Sequence, residues 1–287
     1  MKLVAATTTL GSAANGVYLA AGQTLTLNAV GSQDTQATGA VLTLPGVVSG
    51  PGGLRVTQTV GGVSSGTVTL TGANTFTGAT TVVSGTLAAN STTALGNSAA
   101  DLVVGDPTGQ FPAALLFGTA FTTARNVVIA AVVPGSATVG SSAGVAVTFT
   151  GTVTSNVGAV FNAAGGSTVT FSGNLSLGLG GETVQGGGTV VQTGTNAFGG
   201  GTAVTAGTLT AGGGSAIPDA STVTLSAARI FGPVLASAAE GSWLMDAPKG
   251  KDTPEVTAAR ANGAFRVAGR LRSMYFRTER SAPHAQP

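Results

Sequence analysis

The chain has 287 residues, 43% hydrophobic and 8% charged, with 46 Gly and no Cys. An ordinary globular domain carries about a quarter charged residues, so this composition excludes a typical cytosolic fold, and the lack of Cys excludes a disulfide scaffold. The net charge of +2 divides unevenly, three basic against five acidic residues over 1–228 and nine against five over 229–287; the pI near 9.4 belongs to the tail and gives no ground for nucleic-acid binding by the whole chain.

Residues 1–21 fail as a signal peptide, because Lys2 is followed only by Leu3-Val-Ala-Ala6 before Thr7, Thr8 and Thr9 end the apolar run. No stretch of about 18 apolar residues occurs, so no transmembrane segment is expected. Short alternating segments at 18–20, 24–27, 41–44 and 54–59, parted by Gly, Asn and Pro, each predict a strand. The pattern sharpens at Gly66-Thr-Val-Thr-Leu-Thr-Gly-Ala-Asn-Thr-Phe-Thr-Gly-Ala-Thr-Thr-Val-Val-Ser-Gly-Thr-Leu87. Val68 and Leu70 alternate with Thr67, Thr69 and Thr71; Gly72-Ala-Asn74 predicts a turn, Thr80-Thr-Val-Val83 a second strand, and Gly85 a turn into a third. Further strands are predicted at 101–104, 114–117, 126–133, 145–150, 158–161 and 168–172, with a turn at Asp106-Pro-Thr-Gly109.

The unit at 66–87 returns 122 residues later, at 188–209. Gly72, Asn74, Phe76, Gly78, Thr80, Val82, Gly85, Thr86 and Leu87 recur as Gly194, Asn196, Phe198, Gly200, Thr202, Val204, Gly207, Thr208 and Leu209. A strand-turn unit this short cannot bury its own apolar face and must stack on neighbours, at roughly 20 to 25 residues per coil. Residues 1–228 therefore read as one all-β, rod-like domain. The pattern stops near Ala228. Residues 229–287 read as a separate basic tail, poorly structured or with a short helix over 258–280, where Phe265, Ala268, Leu271 and Tyr275 fall near one face among Arg266, Arg270 and Arg277.

Residues 66–87, with the approach Ser49-Gly-Pro-Gly-Gly-Leu54 and the closing Ala94-Leu-Gly-Asn97, echoed as Ala216-Ile-Pro-Asp219, resemble the β-strand repeat of bacterial autotransporter passenger regions. The resemblance covers residues 49–104 and 180–225. It implies a right-handed parallel β-helix, or β-solenoid, delivered by type V secretion to the bacterial cell surface, the outer membrane or the extracellular medium. In that family a translocator barrel follows the passenger. Residues 229–287 lack the alternating ten-residue strands of such a barrel, so the barrel is expected to be absent from this chain and the chain to be a fragment.

The sequence offers little chemistry, and no catalytic, cofactor or metal site is expected. A Ser-His-Asp arrangement needs a histidine, and the single one, His284, lies three residues from the end. One His and no Cys do not make a zinc site, and five acids scattered over residues 1–228 do not make a repeated calcium site. The one carboxylate pair worth weighing for glycoside cleavage is Asp101 and Asp106, five residues apart, and a strand end plus a turn residue explains them better. Arg55 and Arg125 stand too far apart to suggest a lyase cluster. Gly178-Leu-Gly-Gly-Glu182 and Gly186-Gly-Gly188 lack the Gly-Lys-Ser/Thr ending of a phosphate loop and read as solenoid turns. Asn74 and Asn196 read as left-handed or Asx-turn residues, and Phe76 and Phe198 as stacked core aromatics.

Two functions from different classes fit. The first is a non-catalytic structural stalk on the cell surface that mediates adhesion or aggregation, with a glycan or protein ligand, as a monomer or with weak self-association. The second is a carbohydrate-active parallel β-helix enzyme, a polysaccharide lyase or glycosidase; the scarcity of charged residues argues against it.

Overall fold

The computed structural model describes residues 7–9, 16–28, 40–57, 66–212, 216–218, 222–225, 228–234, 241–246, 256–261 and 264–268. Every regular element among them is a β-strand, and the chain winds as a parallel β-solenoid. Ten strands stack in parallel on the first face: Thr7–Thr9, Val41–Leu44, Thr67–Leu70, Gly85–Ala89, Ala113–Phe117, Ala137–Ser141, Ala159–Asn162, Glu182–Gln185, Thr202–Val204 and Thr222–Leu225. Eight stack on a second face, from Thr24–Leu27 to Ala197–Phe198, and six on a third, from Phe121–Thr123 to Ala228–Val234. From Ala113 to Phe198 each coil visits the first, third and second faces in turn. Before residue 121 a short pair, Val17–Tyr18 with Val48–Ser49, precedes the second face instead.

The period-2 pattern explains why these segments form strands. In Thr67–Leu70 the threonines point outward and Val68 and Leu70 are fully buried. In-register stacking then lines inward residues in columns: Leu42, Val68, Leu87, Leu115, Val139, Phe161, Val184, Val204 and Leu225 form one unbroken apolar column. Burying each such side chain stabilises the fold by roughly 1.5–3 kcal/mol, and the strands satisfy their backbone groups on the coils above and below. Successive register partners lie 19 residues apart from Thr67 to Thr86 and 28 apart from Thr86 to Ala114. On the third face Phe149 and Phe171 stack with ring centroids 5.0 Å apart, flanked by Phe117 and Phe161. The next residue in that column is Gln192, so the aromatic stack ends on a polar side chain.

The glycines shared by the two repeats sit at corners. A Cβ on Gly72 or Gly194 would lie 2.3 Å from a carbonyl oxygen of the coil below, so only glycine lets these corners stack. Gly85 and Gly207 hold φ of 79° and 75°, the left-handed region that glycine adopts without strain.

One expectation fails in the tail. Part of the predicted helix over 258–280 is a strand pair: Val256–Ala261 and Ala264–Ala268 are antiparallel, and the first also pairs antiparallel with Thr222–Leu225. Val256, Thr257, Phe265 and Val267 favour strands, and the Asn262-Gly263 dipeptide between the runs is a strong hairpin signal. Ala228–Val234 joins the third face in parallel and pairs antiparallel with Gly241–Asp246. The remainder of the predicted helix, 269–280, and His284 lie outside the described residues.

Candidate functional site

The repeat asparagines are buried, 1% exposed at Asn74 and 6% at Asn196. Asn74 Oδ1 accepts from the Val48 amide at 2.8 Å, in the coil below, and its Nδ2 donates to the Ala94 carbonyl at 2.7 Å, in the coil above. Asn196 repeats the arrangement, accepting from the Leu175 amide at 2.9 Å and donating to the Ala216 carbonyl at 2.6 Å. These side chains tie three coils together rather than forming the Asx-turns expected. The closing motifs at 94–97 and 216–219 therefore have a physical role: each begins with the carbonyl that the asparagine reaches, 20 residues on in both repeats. Phe76 and Phe198 are buried core residues as expected, but the stacked ring pairs are Phe117 with Phe121 and Phe149 with Phe171, and Phe161 packs tilted on Phe171.

The carboxylate pair does not assemble into an acid and base. Asp106 is buried and spends its carboxylate on its own turn, accepting from the Thr108 amide and hydroxyl at 2.8 and 2.7 Å and from the Gln110 and Phe111 amides at 3.0 and 3.1 Å. Burial works to raise its pKa, yet these bonds outweigh it and hold the carboxyl below its ordinary range. Asp101 instead accepts from the Asn126 side-chain amide at 3.1 Å. Arg125 donates to the Ala100, Leu95 and Asp101 carbonyls, pinning the loop that follows the first repeat. Arg55 is exposed at the middle of its strand.

The sequence reading missed one constellation. Glu182, treated only as the end of a glycine-rich turn, opens strand Glu182–Gln185, points inward and is 3% exposed. Its carboxylate accepts from the Gln192 side-chain amide and, at 3.0 Å, from the Thr202 hydroxyl. Asn196 Nδ2 in turn donates to Gln192 Oε1 at 3.3 Å. Burial pushes the Glu182 carboxyl up to about 7, against these two hydrogen bonds, which lower it. The inward neighbours of Glu182 in its column below are Ala159, Ala137 and Ala113, so one acid stands where the preceding coils place alanine. The signal was present: Glu182 is the single charged residue between Arg125 and Asp219, at an inward strand position. It also lines an open groove of about 280 Å³ bordered by Pro134, Gly135, Val157, Gly201 and Thr224. Gly186 and Gly188 sit at a corner, as expected, with Gly188 donating to the Ala163 carbonyl below.

Among the described residues no three His, Cys, Asp or Glu side chains group as metal ligands, and no helix is long and apolar enough to cross a membrane.

Comparison with known proteins agrees with the geometry. Residues 64–89 and 183–211 match the passenger-associated-transport-repeat. The matched segments are the two equivalent coils described above, and with the solenoid they support an autotransporter passenger region. Residues 205–252 match a family of unknown function. No curated protein and no solved structure matches the chain.

Proposed function

We propose that this chain is the stalk of an autotransporter passenger, displayed on the bacterial surface, where it mediates adhesion or cell-cell aggregation without catalysis. The observation that carries the reading is the coincidence of both passenger-associated repeats with complete coils of a parallel solenoid. The character of the surface supports the contact role. On the third face Thr168, Thr189 and Thr208 form one outward column, and Thr122, Thr148 and Thr170 another. Uncharged hydroxyl rows of this kind suit many weak polar contacts with a glycan or protein target.

The test is display. The full chain is fused to a translocator barrel and produced in a bacterium that does not aggregate. Protease accessibility on intact cells, together with aggregation or binding to glycan-coated beads above that of the barrel alone, is the expected result. Surface display without any gain in aggregation or binding would remove the adhesive role, and failure to reach the surface would remove the passenger reading.

A further inference from the structure

The Glu182 network has no counterpart in the first repeat. The residue 122 positions before Gln192 is Leu70, fully buried, and the one before Thr202 is Thr80, whose buried hydroxyl has no partner. Elsewhere the described interior of residues 145–225 is Val, Leu, Ala, Phe and Ile217, with the buried hydroxyls of Ser155 and Ser167 and no other charged side chain.

We propose that Glu182, Gln192, Asn196 and Thr202 form a proton-operated latch across three coils, closed when the Glu182 carboxyl is protonated and released when it ionises. The geometry supplies each part. Through Asn196 the network reaches Leu175 in the coil below and Ala216 in the coil above, and through Thr202 it crosses between neighbouring strands of the first face. In the closed state one carboxyl oxygen accepts from Gln192 and the protonated oxygen faces the Thr202 hydroxyl. Ionisation passes the proton to solvent as these coils loosen and leaves a carboxylate in an interior that offers no counter-charge among the described residues.

Among the described residues, no element packed on Glu182 carries a titratable side chain. The flanking strands Ala159–Asn162 and Thr202–Val204, the facing strand Thr189–Gln192, the corner at 199–201 and the groove wall at Pro134, Gly135 and Val157 are all uncharged. The upward shift of the Glu182 carboxyl places the transition near neutrality, so the coils from 182 to 211 tighten in mildly acidic surroundings and loosen in alkaline ones.

The test is hydrogen exchange on the full chain at pH 5.5 and 8.5, corrected for the intrinsic rate. Protection of amides at 182–211 is expected to fall at least tenfold at the higher pH, with protection at 66–95 unchanged. Glu182→Gln keeps the shape without the charge and should abolish the pH dependence. Equal protection at both pH values in the wild type, or an undiminished pH effect in Glu182→Gln, overturns the proposal. Infrared spectroscopy of the wild type decides the matter even where the variant fails to fold. A protonated carboxyl band present at pH 6 and titrating away near neutrality supports the latch, and its absence at pH 6 overturns it.

Discussion

Residues 66–87 and 188–209 share thirteen turn, strand and core residues, and each closes one coil of the same length: Thr67 pairs with Thr86, and Thr189 with Thr208, 19 residues on in both. They occupy different faces. The first repeat runs from the first face through Thr80–Val82 on the second and back to the first, whereas the second starts and ends on the third and places Thr202–Val204 on the first. The repeat therefore encodes a coil and its contacts with the coils on either side, and the lengths of the intervening coils set which face it lands on. The interiors differ as well. The first repeat is apolar apart from Asn74, Ser84 and the unpartnered Thr80, while the second has built a buried polar network around Glu182. A shared backbone scheme thus carries two different cores.

The shared part breaks with the largest effect. Asn74→Ala leaves the Val48 amide and Ala94 carbonyl unpaired in the interior, and each such group costs roughly 1–3 kcal/mol, so a loss of about 4 kcal/mol in urea unfolding is expected. Asn196→Ala should cost about 1 kcal/mol more, because it also removes the donor to Gln192. Equal and negligible losses would mean that the asparagines do not join the coils.

The next effect is confined to the second repeat. Glu182 has its folded pKa raised to about 7 from an ordinary 4.5, so its contribution is fully present below pH 4.5 and is lost as pH rises through 7. Denaturation at pH 5 and pH 8.5 should differ by about 3 kcal/mol in the wild type, with most of the difference absent in Glu182→Gln.

The smallest effect has opposite signs at matched positions. Thr80→Val removes a buried hydroxyl without a partner and should stabilise by about 1 kcal/mol, whereas Thr202→Val removes a donor to Glu182 and should destabilise by about the same amount. A shared sign would show that the two interiors are alike after all.

Much of this architecture was readable in the residues. The strands at Thr24–Leu27 and Val41–Leu44 follow directly from alternation of Thr or Val with Leu, and the coil at 66–87 follows from its glycines and β-branched runs. Ala137–Ser141 escaped because Ala, Gly and Ser have little strand preference of their own; its neighbours at 113–117 and 159–162 impose the conformation through the ladder. Residues 126–133 looked like one long strand, yet only Val127–Ile129 pairs, and Val132 and Val133 are exposed in the turn that follows. The second role of Asn74 and Asn196 depends on atoms 20 to 26 residues away, which local turn preferences do not register. Glu182 was hidden for the same reason: its partners Gln192 and Thr202 become neighbours only when coils stack. The helix expected over 258–280 shows the converse error, a face assigned by 3.6-residue spacing where β-branched residues and an Asn-Gly pair pointed to strands.

The equivalence of the two repeats has a direct test, since the chain contains no native cysteine. Parallel in-register neighbours lie about 4.8 Å apart, within the range a disulfide bridges. Thr67→Cys with Thr86→Cys, and separately Thr189→Cys with Thr208→Cys, place two thiols at outward, paired positions of each repeat. Both pairs are predicted to oxidise readily and to similar extents in the full chain, while Thr67→Cys with Leu87→Cys, which face opposite sides of the sheet, does not. Failure of either in-register pair, or ready closure of the offset pair, would contradict the account of two equivalent coils in one parallel solenoid.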